Sequence, residues 1–126
     1  MIVIMQNALL SALEGAKASY PNEFLGFFRG ERKKSEILLT DLIIPPTMYR
    51  NRVSVGYNDW LIPSLSGIEG TFHSHPHPPA MPSRTDLRMF AKNGAANLIA
   101  CPPYDISSVR AFDNNGKEVG FTVMPA

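Results

Sequence analysis

A single cysteine in 126 residues, Cys101, rules out an internal disulfide. It stands in the apolar stretch LIACPP, which suits a small buried hydrophobe better than a reactive thiol. An excess of charge is also missing. Twelve Lys and Arg against eleven Asp and Glu leave +1, which supplies no long-range field to draw in nucleic acid or an anionic membrane. Recognition must therefore come from a built site. No apolar run is long enough to span a bilayer: MIVIMQNALLSALEGAK starts apolar but meets Glu14 and Lys17 well short of about 20 residues, and it lacks a basic start. These absences lead to the expectation of a cytoplasmic protein with neither nucleic acid nor membrane as partner. No repeat, low-complexity tract or linker divides the chain, so 1–126 reads as one domain. A chain of this length buries roughly two thirds of the surface it exposes when unfolded, and needs no staples.

Helical and extended patterns alternate along the chain. Leu9, Leu13, Ala16 and Tyr20 recur at helical spacing, and the helix should stop near Pro21, because the residue before a proline is pushed out of the helical region. EFLGFFRG (23–30) and EILLTDLII (36–44) are compact apolar runs separated by the polar ERKKS, which predicts a hairpin of strands. RVSVG (52–56) is a short strand candidate, and YNDWLIPSLSG holds a short helix or turn. IEGTFHSH is extended. SRTDLRMFAKNG is helical, with Leu87, Phe90 and Ala91 on one face and Asn93-Gly94 as its stop. ANLIAC is strand-like, and SVRAFDNNGKEVGFTV predicts two strands about the turn Asn114-Asn115-Gly116. The whole reads as a mixed α+β fold.

Histidine is scarce too, and its placement is uneven. All three histidines fall within five positions of FHSHPHPPAMPSRTDL. On a strand, residues two apart share a face, so His73 and His75 present two imidazoles side by side while Phe72 and Ser74 point the other way. Neutral imidazole suits zinc, and a catalytic zinc usually takes three protein ligands. Two histidines on a polar strand face without a metal are the competing reading. His77 would complete the set only if the strand continued through Pro76, Pro78 and Pro79, which argue that it ends. Asp86, in the first turn of the following helix, is the better third candidate. Ser83 and Asp86 together also make a capping box, a purely structural role for the same pair.

Glu23, then His73-Ser74-His75-Pro76, then Ser83-x-x-Asp86 after a seven-residue gap, resembles the signature of the JAMM (MPN-plus) metalloproteases: an upstream glutamate, H-[ST]-H-P and S-x-x-D. The order of helix, glutamate-bearing strand, HxH strand, S-x-x-D helix and terminal strands extends that resemblance over nearly the whole chain, and CPPYD is similar to archaeal and bacterial members. The family includes deubiquitinases of the proteasome lid and signalosome, and compact prokaryotic members acting on ubiquitin-like or sulfur-carrier proteins. Its fold implies a curved mixed β-sheet with helices packed against it, sandwich-like and similar to cytidine deaminases. Actual zinc deaminases carry H-x-E and P-C-x-x-C, whereas here Cys101 is alone, which argues against base deamination.

The resemblance implies zinc held by His73, His75 and Asp86, with Glu23 as general base and then acid. It makes Ser83 the hydrogen-bond donor to the oxyanion. Without it, Glu23 would read as a surface carboxylate beside a strand. Glu69 shares the histidines' strand face but lies four residues from His73, about 13 Å along a strand, too far for a base. Ser74, facing away, would give support from behind. The implied activity is that of an isopeptidase, deubiquitinase-like or desampylase-like, cutting after the C-terminal glycine of a ubiquitin-like or sulfur-carrier conjugate. A hydrolase of small cysteine or amino-acid conjugates and a non-catalytic MPN scaffold are the alternatives. An extended substrate tail would add as a strand beside RVSVG, making Ser54 and Val55 the expected substrate-binding positions. A homodimer is left open.

Overall fold

The computed structural model describes residues 1–44 and 67–125. The segments expected at RVSVG and through most of YNDWLIPSLSG, and with them Ser54 and Val55, lie outside the described residues. Among the described residues the chain runs β1 (Ile2–Met5), α1 (Gln6–Ser19), β2 (Leu25–Lys33), β3 (Glu36–Ile43), β4 (Ile68–Ser74), α2 (Arg84–Asn93), β5 (Ala96–Ala100), β6 (Val109–Phe112), β7 (Glu118–Val119) and β8 (Phe121–Met124). This is the mixed α+β layout expected. No helix among these residues is long and apolar enough to cross a membrane.

The strands form one sheet in the order β7-β6-β5-β4-β2-β3-β1-β8, with parallel pairs β4·β5, β1·β3 and β1·β8 among antiparallel ones. β7 and β8 sit at opposite ends of that order, yet Gly120 alone separates them. Two Cα steps span at most about 7 Å, so the sheet curls until its edges nearly meet. The closing stretch SVRAFDNNGKEVGFTV is therefore a hairpin only in its first half. β7 pairs with β6, and the chain then leaves for β1, whose buried Ile2, Val3 and Ile4 would otherwise lie on an open edge. β1 has no separate signal in the sequence because no turn divides it from α1: Met5 ends the strand and is the helix N-cap, without a side-chain cap bond.

β2 also runs further than its apolar pattern, through Glu31-Arg32-Lys33 to a two-residue turn at Lys34-Ser35. Those polar residues are exposed on the hairpin's far end, where pairing with β3 suffices without burial.

Strand alternation gives the sheet two apolar faces. Ile4, Phe28, Leu39, Phe72 and Leu98 pack against Ala8, Leu9, Leu13 and Ala16 of α1. Each fully buried Phe or Leu there contributes roughly 1.5–3 kcal/mol. Ile99 and Phe112 pack on the other face with Phe90 of α2. Phe72 thus belongs to the α1 side, and His73, next to it, to the α2 side. β4 and β5 approach closely at Gly70, where a Cβ would stand 2.4 Å from the carbonyl oxygen of Ala96.

α2 is rotated from the orientation its apolar residues suggest. Asp86, Met89 and Phe90 face inward, while Leu87 is 38 % exposed and Ala91 is exposed. Counting apolar residues misses the reason, which is that two imidazoles hold the Asp86 carboxylate and turn its side of the helix toward the sheet.

Candidate metal centre

β4 carries His73 between two partners, paired with Leu25 of β2 on one side and Ile99 of β5 on the other. His75 lies just past the strand end. Its amide still donates to the Ala100 carbonyl at 2.8 Å, which continues the ladder, and its own carbonyl accepts from the Tyr104 hydroxyl at 3.0 Å. Prolines then turn the chain away, and His77 is exposed. α2 begins beside this strand end. Ser83 caps it, its Oγ accepting from the Asp86 amide at 3.1 Å while Asp86 Oδ2 accepts from the Ser83 amide at 2.9 Å.

The Asp86 carboxylate is where the site converges. Oδ1 lies 3.1 Å from His73 Nδ1 and Oδ2 lies 3.0 Å from His75 Nε2. His73 and Asp86 are about 5 % exposed, and the His73 ring is set edge-on against Phe90. A cavity of about 210 Å³ opens beside them, lined by Glu23, His73, Ser83 and Asp86 with Leu25, Thr85 and Met89 as walls. Glu23 reaches it from the turn ahead of β2. Glu69 does not: it pairs with Arg32 at 3.2 Å. That pair lines a larger cavity, about 400 Å³, near Lys92 and Asn114, which contains none of the three histidines.

Burial raises the Glu23 carboxyl above its ordinary value, with neighbouring His75 opposing and Asp86 adding to the rise. Burial also pushes Asp86 upward, but the hydrogen bonds and charge of His73 and His75, with the Ser83 amide, outweigh it and hold the carboxyl far below the usual range. The hydrogen bond to Asp86 raises His75 against its own burial.

The donor set suits a metal cation. His73 Nε2 is buried without a hydrogen-bond partner among the described residues. If Nδ1 carries the proton and donates to Asp86, Nε2 has an unmatched buried lone pair. If Nε2 carries it, a buried N–H lacks an acceptor and Nδ1 faces a carboxylate oxygen. Protonating both leaves the same orphan. No protonation state of His73 satisfies both nitrogens, and two imidazoles that converge on one buried carboxylate within 3.1 Å are a nitrogen and oxygen donor set of the kind that suits zinc. As they stand, the donors close on Asp86, and no open cage of three or more His, Cys, Asp or Glu residues exists among the described residues.

A curved mixed sheet that presents two strand-end histidines to a helix-borne aspartate is the architecture of the JAMM/MPN class. Within it, the chain belongs to the prokaryotic homologs of the JAB domain, whose family model matches residues 5–115. A probable metalloprotease of Haloferax volcanii is 30% identical over 132 residues, covering 100% of this chain and 81% of that protein. Among solved structures, a JAB1/MPN domain protein from Archaeoglobus fulgidus superposes with a TM-score of 0.73 at 30% identity, over 96% of this chain and 97% of that one. A second, described as a JAMM metalloprotease-like zinc site in the proteasome and signalosome, gives 0.72 at 29% identity over 98% of both.

The structure thus gathers Glu23, His73, His75, Ser83 and Asp86 at one place. Nothing in the sequence pattern marks Tyr104, which holds the His75 carbonyl, or the walls Leu25, Thr85 and Met89. CPPYD was visible as a motif, but only the fold carries its tyrosine to the histidine strand.

Proposed function

We propose that this protein is a zinc-dependent isopeptidase that hydrolyses the bond between the C-terminal glycine of a ubiquitin-like or sulfur-carrier protein and an amine. The observation that carries the reading is the buried Asp86 carboxylate, which meets His73 on one oxygen and His75 on the other, in a cavity that also contains Glu23 and Ser83. The relatives' descriptions as a probable metalloprotease and a metalloprotease-like zinc site support it. His73, His75 and Asp86 would hold the zinc, which when bound would supply Lewis acidity to a water molecule and to the scissile carbonyl. Glu23 takes a proton as water adds to the carbonyl carbon, and returns it to the nitrogen as the C–N bond breaks; the second proton of the added water then passes to the amine, leaving a carboxylate and an ammonium group. Its raised pKa fits a group that must both accept and release that proton. Ser83 directs its O–H toward the oxyanion, since the capping bond uses only a lone pair of its oxygen. Leu25 and Met89 narrow the cavity and favour a small residue beside the bond that is cut.

The test is a panel of conjugates sharing one amine. Replacing the terminal glycine of the ubiquitin-like donor by a bulky residue should cost far more in kcat/KM than changing the amine. Equal cleavage of small cysteine or amino-acid conjugates would move the assignment to the small-conjugate hydrolase.

A further inference from the structure

Leu25, the first residue of β2, is in regular register with β4, opposite His73. Phe24 stands opposite Ser74 one step beyond, and there the ladder changes. The Ser74 amide donates to the Phe24 carbonyl at 2.9 Å, as antiparallel pairing requires. The return bond runs from the Phe24 amide to the Ser74 hydroxyl at 2.7 Å, so a side chain takes the place that a main-chain carbonyl has elsewhere in the ladder. Ser74 is fully buried and Phe24 nearly so. The Phe24 ring is fixed as well. It lies edge-on to Phe72 and fills the space over Gly15, where a Cβ would come within 2.5 Å of it. Glu23 is the next residue, and it lines the cavity on the opposite face.

We infer that Ser74 is a positioning residue for Glu23, clamping the main chain one residue from the base and from the side of the sheet away from the cavity. Glu23 precedes β2 and lacks a strand ladder of its own to fix it, so the two bonds at Phe24 are its nearest anchor. A general base works only within hydrogen-bond reach of the proton it takes, and a displacement of about 1 Å costs about 10²-fold in rate. The role of Glu23 as base rests on the isopeptidase reading; the clamp does not.

The experiment combines turnover with amide exchange, in Ser74→Ala, Ser74→Cys and Ser74→Thr, on zinc-loaded protein. The turnover probe is a ubiquitin-like protein joined through its terminal glycine to a lysine of a reporter peptide. Ser74→Ala should lower kcat about 10–100-fold with KM and zinc content nearly unchanged, Ser74→Cys should fall between, and Ser74→Thr should restore kcat. In a Glu23→Gln background, Ser74→Ala should cost almost nothing more, because its effect passes through the carboxylate. Additive losses, or a change in KM alone, would overturn the inference. Hydrogen exchange at the Phe24 amide gives an answer free of any substrate. Protection in the wild type, lost in Ser74→Ala and regained in Ser74→Thr, supports the clamp; fast exchange in the wild type overturns it even if Ser74→Ala fails to fold. Should the wild type cut no conjugate, the isopeptidase reading fails alone and the exchange result decides the clamp.

Discussion

Ser83 and Asp86 hold each other by two reciprocal bonds, amide to carboxylate at 2.9 Å and amide to hydroxyl at 3.1 Å. The pair that starts α2 is the pair that gives the cavity a hydroxyl and a carboxylate. Helix capping and a place in the cavity wall, which compete as readings of the sequence, fall to the same two side chains: backbone amides bond one oxygen of each, both residues line the cavity, and the Asp86 oxygens also meet the two imidazoles.

Two substitutions separate those uses. Ser83→Ala should lose about 1 kcal/mol of stability with the cap, and Ser83→Gly only a few tenths. Both remove the hydroxyl, so both should lower kcat by about 10²-fold or more with little change in KM. Thermal denaturation and steady-state kinetics of the two variants check this. An unchanged kcat in either would leave Ser83 as a cap alone.

Removing the carboxylate should empty the centre. Asp86→Ala takes away the group that meets both imidazoles, and its bound zinc should fall to a small fraction of the wild-type content, whereas His77→Ala, at an exposed position, should keep it. Atomic absorption on dialysed protein reads the difference, and the reverse order would mean that the third ligand is His77.

Glu23→Gln is expected to stay folded and to retain zinc, because Glu23 is only half-buried and stands outside the His73–His75–Asp86 contacts. Turnover should drop by several orders of magnitude, since an amide does not accept the water's proton. Near-normal turnover at full zinc content would point to a different base.

The metal-free protein should carry a pH signature. His75 has a folded pKa above its ordinary 6.5, so its contribution is complete below that value and is lost as pH rises through the folded one. Glu23, also raised, acts in the same direction from 4.5 upward. Asp86 lies far below 3.8, so its contribution is complete above that value and is lost as pH falls. Metal-free protein should therefore melt at a higher temperature at about pH 5.5 than at about pH 8. Zinc should raise Tm more at the higher pH, because binding competes with protons for the imidazoles. Calorimetry at the two values, with and without zinc, tests the sign.

Much of the site was legible because its residues lie close in sequence on two elements. Strand alternation put His73 and His75 together, the prolines set His77 aside, and a capping pattern located Ser83 and Asp86. Glu23 was legible only through the family's motif, since its position 50 residues upstream of His73 gains meaning when β2 pairs with β4. The inward face of α2 departs from its apolar pattern because a buried carboxylate with two partners outranks an apolar Leu87 at the surface. β8 has the local signals of a hairpin's second strand yet pairs with β1, because turn signals show where strands end, not which distant edge they reach. Ser74 gave no local sign of its bond to Phe24, which exists only where the ladder ends.

The most direct test of the metal centre is turnover of a glycine-linked isopeptide reporter during zinc titration of protein stripped and verified metal-free. Activity should be absent at the start, rise in proportion to added zinc, and level off at about one zinc per chain. Full turnover in the verified metal-free protein would contradict the account.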